Sequence, residues 1–363
     1  MDDGTVDETV DVAVIGAGIA GLSLARGLIA HGRTVVVFEG RDRIGGRLRS
    51  EPVSVGDRTD DDVEPCVDSR IDLGATWFWP GEHRVAQLVR EFALPIHEQH
   101  LAGDAMYEAP DGVRRLDGNP IDVPSFRFSG GAQELAGRLA ADLPHGTLRL
   151  STTVTRISGT GPFTVGHARG EHTARQVVMA LSPALAISSI VVEPPLPESI
   201  DRVARATPVW MGATTKAVAV FDRPFWRDDG LAGSAISHVG PLREIHDMSG
   251  PRGRPAALFG FGQSSGVSPI DRDDVVRQLT ALFGPAAADP AELIVVDWRS
   301  ESLTSPTGVE QLRSYELFGH PVFHSPIDRP LHWSSTETAR ESPGHIEGAL
   351  DAAERTLAAI LSG

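Results

Sequence analysis

The chain has 363 residues and 41% hydrophobic content, enough to bury a large core in one large domain or two interleaved ones. A net charge of −16 argues against nucleic-acid partners, and apolar runs such as VVVF and LIVV fall far short of the roughly 20 residues of a membrane span. The acidic start MDDGTVDETV lacks the basic-then-apolar order of a signal peptide, so a cytoplasmic protein is expected.

In chain order, the first element is a short apolar run from Asp11 to Ile15. Gly16-Ala17-Gly18-Ile19-Ala20-Gly21 follows, then a helical pattern through Leu22, Ala25 and Leu28 that stops at His31-Gly32. A second apolar run, Thr34 to Phe38, ends in Glu39. Strand, glycine turn, helix, strand and acid in this order form a βαβ dinucleotide fingerprint. The glycines give a tight turn and close backbone approach, the helix N-terminus faces a pyrophosphate, and the acid takes ribose hydroxyls.

The stretch Glu51 to Ser69 is rich in acids and is expected to be a mobile loop with a solvated face. It holds Cys66, whose solitude excludes an internal disulfide and a thiol metal cluster. His97 and His100 have a spacing that could suit a metal, but exposed or capping roles are expected, and no metal site is assigned.

The segment Ala213 to Phe221, ATTKAVAVF, holds the only lysine among 33 basic residues. Strand alternation puts Lys216 on the face of Val218 and Val220, an apolar side. A buried ammonium is compact, can lose its proton and can hold one water, whereas a guanidinium is planar, larger and practically always charged. At the C-terminus, Ser342 is expected to cap a helix with Pro343 in its first turn and Ile346, Leu350, Ala353, Leu357 and Ile360 on one apolar face.

After Glu39 comes Gly40-Arg41-Asp42-Arg43-Ile44-Gly45-Gly46-Arg47, which resembles the R-x-G-G-R continuation of FAD enzymes in the flavin-containing amine oxidase family. Paired glycines let the backbone approach a diphosphate and arginine offers it bidentate donors. Asp72-Leu73-Gly74-Ala75-Thr76-Trp77 resembles the family's segment beside the flavin ring, and FRFSGGAQELAGRLAADL its glycine-pair helix. Val154 with ARQVVMALSP, which includes Ala180, is similar to the strands on the adenosine half. MGATTKAVAVFDRPFWR resembles the strand bearing the flavin-facing lysine, and WSSTETARESPGHIEGALDAAER the closing motif.

The resemblance implies an α/β fold: a Rossmann-type FAD-binding domain (1–84, 126–189 and 326–363) with an interleaved α+β substrate domain (85–125 and 190–325). It implies that Lys216 binds a water bridging to flavin N5. Ser335, Glu337, Gly344, His345 and Ile346 would then lie along the cofactor, Glu337 near its ribityl-phosphate part and the helix N-terminus at its pyrimidine side. Trp298 reads equally as a flavin-side residue or plain core. The cysteine that some members bond to flavin falls near Thr307, so attachment is expected to be non-covalent.

The family's reaction implies an amine substrate, hydride transfer to flavin, and dioxygen as reoxidant; a homodimer stays open. Monoamine oxidases flank the flavin with two tyrosines, but this chain has only Tyr107 and Tyr315. His345 falls at one cage position and Gly308 or its neighbourhood at the other, leaving Trp77, Trp298 or Trp333 to rebuild the cage. Trp77 also stands where many amino-acid oxidases carry a carboxylate-binding arginine, a role left to Arg127 or another arginine. A desaturase or dehydrogenase of a specialised metabolite is the second reading, and a non-catalytic flavoprotein the third. The chain is shorter than typical members, so a trimmed substrate domain is expected.

Overall fold

The computed structural model describes residues 9–53, 70–262, 270–324 and 326–363. The first sheet has eight strands and grows around Val10–Ile15, which pairs in parallel with Val35–Phe38 on one side and Gly170–Met179 on the other. Its last four residues are buried, as a central parallel strand requires, so the run reads as continuously apolar. Leu331–Trp333, from the far end of the chain, joins the sheet in parallel with Gly170–Met179.

Helices Ile19–Ala30, Gln133–Ala141 and Ile346–Ser362 cover one face, joining Leu22, Leu28, Leu135, Leu139, Leu350 and Ile360 to Val12 and Val14 in one core. The expected apolar face of the last helix is the buried one. Its start differs from expectation. Ser342 takes φ +47° and Gly344 φ +92°, so the chain reverses there, and the helix begins at Ile346 with His345 at its N-cap. The opposite face of the sheet packs Ile157, Phe163, Phe323 and Trp333 together.

The second sheet has seven strands, in the order Glu292–Asp297, Thr215–Phe221, Ala256–Gly262, Leu242–Asp247, Leu231–Ser237, Asp104–Ala109 and Gly112–Arg115. Thr215–Phe221 lies inside the sheet and is buried throughout. Ala217, Ala219 and Phe221 meet the helix Arg272–Phe283 on one face. Val218 and Val220 pack on the other with Phe259, Trp298, Ile71 and Leu73, so the second sheet's inner face lies against the Arg70–Asp72 strand and the residue that follows it.

Within the stretch 85–125, Val85, Leu88 and Val89 of helix His83–Glu91 belong to the core under the first sheet. Ile200 and Ala204, from the stretch 190–325, pack in the core on that sheet's opposite face. Of the acid-rich segment expected as a loop, the start forms the strand Ser50–Pro52, paired with Arg70–Asp72; residues 54–69, with Cys66, lie outside the described residues.

Candidate active site

A cavity of about 850 Å³ extends from the glycine turn after the first strand to the inner face of the second sheet, a size suited to a large organic ligand. Every residue expected to bind the cofactor or carry the reaction lines it except Gly21 and Glu337. Gly21 acts one layer back: a Cβ there would stand 2.0 Å from the Gly16 carbonyl oxygen, so only glycine lets the helix start so close to the turn. Glu39 is buried at the end of its strand. Its carboxylate accepts from the Ala17 and Arg41 backbone N–H groups, both at 2.9 Å, and so is fixed beside the turn.

The second glycine loop closes back on the first, with Gly45 N–H donating to the Ala17 carbonyl at 2.9 Å. Arg41 donates to Thr304 Oγ1 at 2.8 Å and Glu301 at 3.2 Å, which ties the fingerprint to the segment after Trp298. Arg47 donates to both oxygens of Glu337, at 2.6 and 3.2 Å, and to the Trp210 carbonyl at 3.2 Å. Glu337 is wholly buried behind the cavity wall. Burial alone would raise its carboxyl, but the charge and hydrogen bonds of Arg47 outweigh it and hold the group below its ordinary value.

Lys216 is 1% exposed. Its Nζ donates to Thr76 Oγ1 at 2.6 Å and to the Gly74 carbonyl at 3.0 Å, and lies 4.2 Å from the centroid of the Phe259 ring. Gly74 has no room for a side chain, since a Cβ would meet the Arg47 carbonyl oxygen at 1.9 Å. Burial pushes the ammonium down to about 7; the nearby Asp72 charge opposes that and Arg127 adds to it. Asp72 is itself buried, accepting from Ser50 Oγ at 2.6 Å and Ala132 N–H at 2.9 Å.

Register extends this row. Lys216 pairs with Phe261, and Phe261 pairs with Glu244 on the next strand, so the three share one sheet face with Glu244 about 10 Å from Lys216. Glu244 lines the cavity, and His246 bridges it to the buried Asp122, at 3.1 Å and 2.5 Å. The His246 hydrogen bond holds the Glu244 carboxyl below its ordinary value despite partial burial.

Aromatic rings complete the wall. Trp77 donates from Nε1 to Gln99 at 3.0 Å and stands 5.2 Å from Phe259 and 6.2 Å from Trp79. Trp79 lies 4.7 Å from His345; Trp210 is 6.5 Å from His345 and 5.9 Å from Tyr315. Trp79, Trp210 and Tyr315 all line the cavity, and none of the three was expected there from the sequence. The alternation W-F-W was a usable signal for Trp79; Trp210 sits in a loop and carried none.

Three expectations need correction. Trp333 is wholly buried against Phe323 in the first sheet's core and does not line the cavity. Arg127 is 4% exposed, donates to the Ser249 carbonyl at 2.9 Å and does not line the cavity either, so it is not placed to take a substrate carboxylate. His97 and His100 are half-buried rather than exposed; His97 Nδ1 lies 3.2 Å from Ser129 Oγ. Trp298 is both things at once, 5% exposed with Nε1 bonded to the Leu73 carbonyl at 3.1 Å, yet lining the cavity.

The sequence profile of the flavin containing amine oxidoreductases matches residues 19–125 and 119–361, nearly the whole chain. The chain belongs to this family. It is 28% identical to the candidate flavin-containing monoamine oxidase AofH of Mycobacterium tuberculosis, over 97% of this chain and 96% of that one. It is 25% identical to the putrescine oxidase of Kocuria rosea, over 97% and 95%. Among solved structures, putrescine oxidase bound to putrescine superposes with a TM-score of 0.82 at 21% identity, covering 98% of this chain and 99% of that one. Cyclohexylamine oxidase from Brevibacterium oxydans gives 0.81 at 22%, with the same coverage.

This amine oxidase-type protein is therefore an FAD-dependent oxidoreductase with the α/β two-domain fold of its family. The residues present suit the cofactor: one continuous cavity joins a glycine-lined, dipole-facing turn to a buried lysine. Among the described residues, no group of three metal-ligating side chains occurs, and no helix is long and apolar enough to cross a membrane.

Proposed function

We propose that the protein oxidises an amine by passing a hydride from the amine-bearing carbon to FAD, with dioxygen as the final acceptor and hydrogen peroxide as product. The observation that carries this reading is the burial of the only lysine in the cavity wall, clamped by Thr76 and Gly74. FAD, when bound, supplies the two-electron acceptor and its reaction with dioxygen. Lys216 orients a water at the reacting position, and the rings of Trp77, Trp79 and Phe261 exclude other water. Glu244 gives the substrate end of the cavity a negative charge that favours a cationic amine. The Kocuria rosea relative is named for a diamine, putrescine, in keeping with a carboxylate at the substrate end here.

The cofactor unit of this reading comprises the first sheet with its covering helices. Core sharing by Val85, Leu88, Ile200 and Ala204 supports extending it past the expected limits at 84 and 189, leaving the second sheet as the substrate unit. Attachment of FAD is non-covalent, since Thr307 offers no thiol. The missing tyrosine pair favours a second reading, a dehydrogenase acting on a carbon–carbon or carbon–nitrogen bond. Anaerobic mixing with a panel of amines, diamines and cyclic amines tests the first: flavin bleaching followed by peroxide on admitting air supports it. Bleaching that only an artificial acceptor reverses supports the second, and no bleaching by any amine overturns the amine reading.

A further inference from the structure

The cage position occupied by His345 is wired to a second residue. Glu82 is 7% exposed; its Oε1 lies 2.7 Å from His345 Nδ1, and its Oε2 accepts from the Trp79 backbone N–H at 2.9 Å. With Nδ1 committed, Nε2 on the far side of the ring is the atom left for a ligand, and the ring lines the cavity beside Trp79 and Trp210. We propose that Glu82 and His345 form a carboxylate–imidazole pair that takes a proton from the substrate's ammonium group, a role resting on the amine reading above.

Hydride loss needs the neutral amine, because its nitrogen lone pair must stabilise the carbon as the hydride leaves. The proton passes from R–NH3+ to Nε2, giving R–NH2 and an imidazolium paired with Glu82. The imidazolium then returns the proton to solvent, to which the His345 side chain is 35% exposed. Lys216 is the other group in the cavity wall able to hold a proton, and the His345→Gln variant below separates the two. Among the other charges nearby, Arg47 is balanced by Glu337 behind Trp210, while Arg84, a single cation, holds Glu341, Glu347, Asp351 and Glu354, so that cluster keeps a net negative charge. Glu82 is the carboxylate bonded to the ring itself, so it orients the imidazole and is the direct counter-charge to the imidazolium when that forms.

The test is the pH dependence of anaerobic flavin reduction in the FAD-loaded protein, using benzylamine and substituted benzylamines of graded basicity. In the wild type, the ascending limb is expected at one pH whatever the amine. Glu82→Gln is expected to move that limb to lower pH, because the imidazolium loses its counter-charge. His345→Gln cannot accept a proton; its limiting reduction rate is expected to fall about 100-fold or more near neutral pH, and its limb to follow each amine's own ionisation. A wild-type limb that already follows the amine overturns the proposal without any variant, as does a His345→Gln protein that changes only substrate affinity. If no amine bleaches the wild type, the amine reading falls and this inference with it. Bleaching with the wrong limb overturns the inference alone.

Discussion

The guanidinium of Arg47 meets the carboxylate of Glu337, 290 positions away in the chain, through two hydrogen bonds of 2.6 and 3.2 Å. The pair joins the second glycine loop to the C-terminal motif, and Glu337 also accepts from Trp210 N–H at 3.2 Å. Three distant segments are thus held around one buried charge. Arg47→Met would leave Glu337 buried without its cation and is expected to cost about 3–5 kcal/mol in urea unfolding. Glu337→Gln, which buries no charge, is expected to cost less.

The same pair sets an acid sensitivity. The folded Glu337 carboxyl is held below its unfolded value, so its stabilisation is present above the unfolded value and is lost as pH falls through the folded one. The stability difference between wild type and Glu337→Gln should therefore shrink on acidification. Unfolding curves with a difference constant down to acid pH would contradict the assignment.

Glu39→Ala tests the fingerprint. Its carboxylate anchors two backbone donors and is the acid available to ribose hydroxyls, so each charged hydrogen bond lost is expected to cost roughly 1.5–3 kcal/mol. FAD should bind at least tenfold more weakly in a fluorescence titration. The wild-type protein should be yellow and release FAD on acid precipitation; colour retained by the precipitate would refute non-covalent attachment.

A lost charge at Glu244 should act on binding rather than on chemistry. The side chain is 48% exposed, so Glu244→Gln is expected to weaken cationic amines by only about 1 kcal/mol. The limiting rate of flavin reduction should stay near the wild-type value. An equal loss for a neutral substrate analogue would show that the residue shapes the wall rather than reading charge.

The cofactor half was legible because its chemistry is written locally: glycines, an acid and a helix at fixed spacing announce Gly16, Gly21 and Glu39 without tertiary information. Lys216 was legible because one ammonium among arginines is a choice, and period-two alternation gave its face. The aromatic wall was not, since Trp79, Trp210 and Tyr315 come from three segments that only the fold brings together. Residue type alone misassigned Trp333 and Arg127, because a tryptophan or arginine can face a core as well as a cavity. Ser342 failed as a cap because the positive φ at Gly344 reverses the chain just before the helix. Glu82 had no sequence signal at all, standing 263 positions from His345.

Lys216 gives the most discriminating pH experiment. Its folded ammonium titrates at about 7 against an ordinary lysine value of 10.5, because burial penalises the charge. Between those values the unfolded chain binds more protons than the folded one, so this residue makes stability rise with pH across the window. Its penalty is complete below about 7 and gone above 10.5. Lys216→Met has no proton to lose, so wild type should gain stability relative to it as pH rises through this range. The constant part of their difference reflects the hydrogen bonds lost at Thr76 and Gly74. Lys216→Arg keeps its charge throughout, so it should be less stable than wild type and show no such gain. In rapid mixing, Lys216→Met should retain FAD while slowing flavin reduction, reoxidation or both, and Lys216→Arg should not restore either rate. Parallel stability curves for wild type and Lys216→Met, or wild-type rates in Lys216→Arg, would mean that the site needs only positive charge and not a group able to give up its proton.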